Sequence, residues 1–583
     1  MLMMKLYVNS ACFLKGNVKD WVHLWLQLSL DILDNAIINC FKGYKMKGLR
    51  GSKAKKQDHK LTIEEPMKLY VKRYDIVFST LMPHQTSLLK KWHNVVIRSL
   101  FAALKGLSLN SAFKKKLHIY HPAQEPPKIE TYRTAQKIRN EPCDPQSIQR
   151  DVRQLLADKV SGNMVGIWLL IPEHLRLGTW DLLRSWTNQD GEQVETRLAM
   201  QLCNEAALCV SGIRQKRTLS QKGFELANGL PFVASDEAIH NLLNAHTVSD
   251  AQRLQIALGK VRQTFGHFPG RLLAIDPHRI KTYSKRQMVR RKKDSKSTPI
   301  KTAQTFFCID ADTKQPICFT TGTSARTVTK ATPDLLSLTA NILNPIKKKP
   351  LVLADNEHYT GELIDWVASQ SPFDMLVPIK SKKLIKKQIQ NIPPKEFRRH
   401  WSGYATTKIQ YQMTSTLYGP YYEFIQRKGE HTQDYNYGAF LCTSDRDEVE
   451  DLSLNFPDRW HIEEFFMNDQ ALGWNRTGTM NLNIQYGRMT LPLLAQTAIY
   501  MLRQRLGSPI NSWDSQHLAK DFFKGLEGDI RVSGDTILVT YYNAPNVELL
   551  KTHYENLPAK LEAEGVSPNI PWLYNFKIDF RFK

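Results

Sequence analysis

The 583-residue chain reads as an α/β protein: a mixed-sheet core carrying an inserted β subdomain, preceded by an all-α N-terminal region. Three observations carry that reading. Between about 67 and 265, apolar residues recur at helical spacing with no strand-like run among them. From about 271, short apolar runs alternate with helical stretches, the rhythm of strands joined by helices. Residues 380–447 then break that rhythm with a segment rich in Tyr, Thr and Gly.

Taken in order, residues 1–66 form a poorly organised extension. The run from Lys45 to Lys56 is basic and Gly-containing, more like a linker than a packed element. The apolar stretch Trp21 to Cys40 carries Asp31 and Asp34, each costing a few kcal/mol in lipid, so it reads as an amphipathic helix and not a membrane span. Region 67–265 is helical in pattern. Thr218-x-x-Gln221 matches a capping box for a helix ended by Gly229, and Asp236 to Leu243 supplies a second helix. That pair could be a helix-turn-helix with Arg214, Lys216 and Arg217 beside it, but for this segment alone a plain helical hairpin in a bundle is the better reading.

The first part of the core spans 266–379. An apolar run from Arg271 to Ile275 ends at Asp276, and two strands, Thr305–Ile309 and Ile317–Thr321, flank a turn. Thr332-Pro333-Asp334 has the cap, the proline and the acid of a helix start, leading to Leu343. Strand Leu351–Ala354 ends at Asp355, followed by a helix from Gly361 to Gln370 and a strand from Met375 to Ile379. The inserted segment occupies 380–447. Helical pattern resumes near Asp458 and runs past Leu506, so 448–510 is the second part of the core. In the C-terminal region, 511–583, Ile530–Val532 and Thr536–Tyr541 form a hairpin, and oligomerisation is a candidate role for that region.

Charge narrows the function. Lys and Arg number 80 against 56 Asp and Glu, a balance of +24, which favours a polyanionic partner, nucleic acid above all. The eight cysteines form no CxxC pair, and Cys308 and Cys318 sit in apolar strand-like runs; this fits reduced thiols in a cytoplasmic protein, not zinc ligands or disulfides.

The chemistry lies in the two strand-terminal aspartates. A carboxylate at the rim of a buried sheet is accessible to a cation, and open α/β sheets build sites outside strand ends. Mg2+ takes oxygen ligands, and two such ions about 4 Å apart serve in-line displacement at phosphorus. The third carboxylate is sought in Asp458-Arg459-Trp460-His461-Ile462-Glu463-Glu464-Phe465-Phe466. On a helix, Arg459, Glu463, Phe466 and Gln470 share one face, while Glu464 points about 100° away. Each piece alone has a plainer explanation: a lone strand-end Asp usually caps a turn, and Arg459 with Glu463 makes an ordinary i,i+4 pair. The order strand–Asp, hairpin, helix, strand–Asp, helix, strand, insertion, helix–Glu is what raises the odds.

That order, with a helix reading Arg-Trp-x-Ile-Glu-x-Phe-Phe, resembles the DDE transposases of bacterial insertion sequences in the IS4-like superfamily, over roughly residues 200–510. The resemblance implies an RNase H-like core with a β insertion before the glutamate, and Asp276, Asp355 and Glu463 as metal ligands. It further implies Mg2+ (with Mn2+ as a substitute), double-stranded DNA with terminal inverted repeats, target DNA, a homodimer in the synaptic complex, and a cytoplasmic, nucleoid-associated setting. The family's extended signature is Tyr, two residues, Arg, three residues, Glu, six residues, Lys. Phe456, Arg459, Glu463 and Gln470 stand at those places, so the arginine and glutamate match and the tyrosine and lysine do not.

After Asp276 comes a basic stretch with Lys285, Arg286, Arg290, Arg291, Lys292 and Lys293, placed to hold a DNA strand or simply to be solvated. His278 and His358 read as local hydrogen-bonders, and Asp310, Asp312 and Glu357 as bystanders. Trp401 and Trp474 are candidates for stacking on a base or for the core. The rival functions are an RNase H-like DNA nuclease and a decayed transposase that only binds DNA.

Overall fold

The computed structural model of the chain describes residues 144–583 except 163, 188–193, 211–218, 285–287, 289, 292–297, 347, 381–382, 414 and 480. The expected extension 1–66, the helices expected over 67–143, Thr218, Arg214, Lys216, Arg217, Lys285, Arg286, Lys292 and Lys293 lie outside the described residues.

Helices lead, as expected: α1 (Pro145–Ala157), α2 (Ile171–Leu177), α3 (Thr179–Thr187), α4 (Val194–Ala207), α5 (Lys222–Ala227), α6 (Asp236–Ala245) and α7 (Val248–Thr264), with one short strand, β1 (Val160–Gly162). Thr247 and Asp250 close a reciprocal capping box on α7. α5 begins after Gln221 without a side-chain cap, and every residue from Gly223 to Ala234 except Pro231 is buried. α5 is thus a core helix, whereas α6 buries Ile239, Leu242 and Leu243 and leaves Glu237, His240, Asn241 and Asn244 exposed.

The core is an 11-stranded mixed sheet: β2 (Leu272–Thr282), β3 (Arg290–Arg291), β4 (Ile300–Asp310), β5 (Gln315–Thr323), β6 (Leu351–Leu353), β7 (Asp374–Pro378), β8 (Arg398–Trp401), β9 (Tyr404–Tyr411), β10 (Tyr421–Lys428), β11 (Asn436–Cys442) and β12 (Arg476–Thr477). Its order is β3-β4-β2-β6-β7-β11-β10-β9-β8, with β5 also paired to β4 and β12 to β2. The β2–β4–β5 part is antiparallel, and β6 and β7 add parallel to β2. Three helices belong to this stretch: α8 (Val328–Leu343), α9 (Gly361–Gln370) and α10 (Lys383–Gln390).

Three expectations need correction here. The inserted segment is not a separate β subdomain: β11 pairs antiparallel with β7, so the insertion extends the core sheet by four strands. α8 starts at Val328 with Thr327 as its cap, so Pro333 lies inside the helix and does not open it. β2 does not end at Asp276 but runs on to Thr282, because β4 accompanies it through Lys281 and β12 pairs with Lys281 and Thr282.

The helical pattern beyond Asp458 is also discontinuous. A 3-10 turn (Phe456–Trp460) leads into α11 (His461–Asp469), the chain turns at Gly473 with φ +135°, pairs as β12, and only then enters α12 (Leu482–Leu506). α12 is buried on nearly every side against α4 and α7, which makes it the shaft between the helices and the sheet. The C-terminal region forms β13 (Gly528–Ser533), β14 (Thr536–Tyr541), α13 (Val547–Tyr554), α14 (Leu557–Ala563), β15 (Asn569–Ile570) and β16 (Phe576–Phe582), and β13–β14 is the expected hairpin. With β1 these strands make a second sheet, β1-β13-β14-β16-β15. Trp572 donates to Ala227 O at 2.9 Å and Tyr541 to Val165 O at 3.0 Å, so this region packs back onto the early helices. Cys203, Cys209, Cys308, Cys318 and Cys442 are free thiols, and among the described residues no helix is long and apolar enough to cross a membrane.

Candidate active site

Register brings the first two carboxylates together. Leu272, Leu273 and Ala274 of β2 lie beside Leu351, Val352 and Leu353 of β6 in parallel, and Asp276 and Asp355 each come two residues beyond the last of these pairs. Strand alternation turns both onto the face of Ala274 and Leu353, the face that packs against Ile462, Phe465 and Phe466 of α11. β2 is paired along this edge by β6 up to Ala274 and by β12 only from Lys281, so the site occupies a gap in the ladder.

Asp355 does what the plainer explanation of a strand-end Asp supposes, and more. It caps the 3-10 turn Asn356–His358: its Oδ1 accepts from the Glu357 amide at 2.9 Å and from His358 Nδ1 at 2.8 Å. His358 is buried, so this contact holds Asp355 in one orientation. Burial alone would raise its pKa, but the His358 and Glu357 hydrogen bonds outweigh burial and hold it below the ordinary value.

α11 delivers the third carboxylate, and the 3-10 turn before it delivers the arginine. Arg459 Nη2 lies 3.2 Å from Glu463 Oε1, and Nη1 lies 3.9 Å from Asp276 Oδ1. Glu464 points the other way, paired with Lys314 Nζ at 2.5 Å. α11 is seated by His461 Nδ1, which donates to Ala311 O at 2.6 Å, and by His278, whose ring stacks on Phe466 with centroids 4.0 Å apart. Gln470 lies just past the end of α11, which closes at Asp469, and opens a further 3-10 turn where it is half-buried.

Electrostatics report the crowding. Burial, then the Asp355 carboxylate, pushes Asp276 up to about 7; Glu463 and Glu357 add to the rise while Arg459 opposes it. Among the described residues no three His, Cys, Asp or Glu side chains are already gathered closely enough to grip a metal ion. Between Asp276 and Glu463 the positive charge comes from the Arg459 guanidinium. The donor chemistry still suits a hard divalent cation: oxygen ligands only, with like charges crowded enough to hold a proton on Asp276.

The remaining candidates divide. Arg290 is exposed on β3, which pairs Arg290 and Arg291 with Lys301 and Ile300. Trp474 is fully buried and donates to Met489 O at 3.1 Å, a core residue. Trp401 is half-exposed and stacked on Tyr404 at 4.4 Å. Asp310 is a turn residue, accepting from the Gly270 and Thr313 amides, and Asp312 pairs with Arg271 at 2.8 Å. Glu357 is held in an ion pair, with Arg279 Nη2 reaching its two oxygens at 2.7 and 2.9 Å. No sequence signal couples Arg279 to Glu357; only the strand register does.

Comparison with protein-family models and with curated proteins yields no match. Among solved structures, the chain is similar to one described as a cryo-EM structure of a piggyBac transposase synaptic complex with hairpin DNA. The likeness has 14% identity and a TM-score of 0.34 over 61% of this chain and 79% of that one, too slight to carry a role from one protein to the other.

Proposed function

We propose that the chain is a DDE transposase that moves an insertion sequence by metal-dependent DNA cleavage and strand transfer. The observation that carries this reading is that Arg459 reaches both Asp276 and Glu463, while the parallel β2–β6 register sets Asp355 beside Asp276. An RNase H-like core fits the strand arrangement, in which three antiparallel strands come first and two parallel strands are added at the other edge of β2.

In this reading Asp276, Asp355 and Glu463 hold Mg2+ or Mn2+, which when bound polarises the scissile phosphate and its attacking oxygen. Arg459 grips a neighbouring phosphate through charge-assisted hydrogen bonds. His358 holds Asp355 through Oδ1 and, in this reading, keeps it ionised for the metal. The +24 charge and the exposed Arg290 serve the DNA backbone. The substrate is double-stranded DNA with terminal inverted repeats, joined to target DNA in a synaptic complex of two copies.

Incubation with an end bearing a free 3′ hydroxyl, in Mg2+, tests the proposal. Cleavage together with joining to a second duplex is the expected result. Cleavage without joining favours a nuclease on the same core, and DNA binding with neither reaction favours a decayed transposase. Short inverted repeats flanking the coding region, with a direct duplication outside them, are the matching genomic observation.

A further inference from the structure

β2 carries Asp276, and the next two polar residues after it, His278 and Arg279, point to opposite faces of the sheet by alternation. Each reaches the element that bears another carboxylate. His278 Nε2 donates to Trp474 O at 3.0 Å, and its ring lies nearly parallel to Phe466, at 13°, three residues past Glu463. Arg279 bonds both oxygens of Glu357, whose amide in turn donates to Asp355 Oδ1 at 2.9 Å.

We infer that His278 and Arg279 are positioning residues: the strand that supplies Asp276 grips the Glu463 helix with one side chain and the Asp355 turn with the next. The three carboxylates are thereby indexed to a single strand. This rests on the metal-site reading of Asp276, Asp355 and Glu463, but it assigns a role to residues that reading does not need.

Arg279 separates positioning from simple charge. Removing a cation near a metal site makes divalent binding tighter by electrostatics alone. Positioning requires the opposite, because the Asp355 turn loses its tether. The Arg279–Glu357 pair is 32% and 41% exposed, so its loss costs little stability.

The test is equilibrium binding of Mn2+ alone to the full chain, read by the electron paramagnetic resonance of free Mn2+, with thermal melting in parallel. Arg279→Gln is expected to weaken Mn2+ binding about tenfold, the scale of losses on removing residues that orient metal ligands, with an unchanged melting temperature. Arg279→Lys, which retains a donor for Glu357, should restore it. His278→Ala should weaken binding similarly and His278→Phe, which keeps only the stack, less so. Unchanged or tighter binding by Arg279→Gln overturns this inference and leaves the metal site standing. Absence of Mn2+ binding by the unsubstituted chain overturns both.

Discussion

Arg459, in the 3-10 turn before α11, pairs with Glu463 of α11 at 3.2 Å, and the same guanidinium leans toward Asp276 at 3.9 Å. A surface i,i+4 pair has no reason to face a third, partly buried carboxylate. Arg459→Ala is therefore expected to reduce strand cleavage by about two orders of magnitude, the scale of positioning terms. Arg459→Lys should recover part of it, since a point charge lacks the planar fork. Normal cleavage by Arg459→Ala would remove α11 from the site. Gln470→Lys, which supplies the lysine that the sequence resemblance implies at this place, should tighten binding to cleaved ends more than to uncleaved DNA, measured by gel shift.

The carboxylates themselves give a paired test. Asp276→Asn, Asp355→Asn and Glu463→Gln should each abolish nearly all Mg2+- or Mn2+-dependent nicking while leaving DNA binding intact. Glu464→Gln should nick normally, because Glu464 is engaged with Lys314 and faces away. Full activity in Asp355→Asn, or its loss in Glu464→Gln, would contradict the assigned face.

Salt dependence addresses the basic stretch. Affinity for duplex DNA should fall log-linearly with salt, with a slope of about 0.9 per phosphate contact. Alanine at Arg290, Arg291, Lys292 and Lys293 together should flatten that slope. An unaltered slope means that this stretch faces away from DNA.

A pH prediction concerns Glu423 on β10, fully buried with neither carboxylate oxygen hydrogen-bonded. Burial pushes it up from 4.5 to about 7. Between those values the folded chain holds a proton that the unfolded chain has released, so stability falls as pH rises through that window. Glu423→Gln removes the titration. The unsubstituted chain should lose about 1–3 kcal/mol more than the variant between pH 5 and pH 8, by denaturant melts without divalent ions. Parallel pH profiles would disprove it.

Much of the site was legible from residue order because its chemistry falls at element boundaries. Apolar runs stop where a strand leaves the core, which marks Asp276 and Asp355 even though the β2 backbone continues to Thr282. Helical spacing placed Arg459, Glu463 and Glu464 correctly, since one turn suffices. It did not show that the α-helix closes at Asp469, one residue before Gln470, ahead of the Gly473 turn. The attachment of the insertion to β7 and the pairing of Arg279 with Glu357 depend on contacts between residues distant in sequence, which local pattern does not encode.

The way the insertion joins the sheet has an evolutionary consequence. Its strands are laid down outward from β7 in the order β11, β10, β9, β8, so the outermost hairpin is farthest from β6 and Asp355. Residues gained or lost at that rim change the reach of the sheet across a substrate while the Asp276–Asp355 register stays as it is. Exposed Arg398 and Arg399 on β8 give the rim charge rather than a bare apolar edge, which guards it against pairing with other strands. The Asp276–Asp355 register is therefore insulated from changes at the outer margin of the sheet.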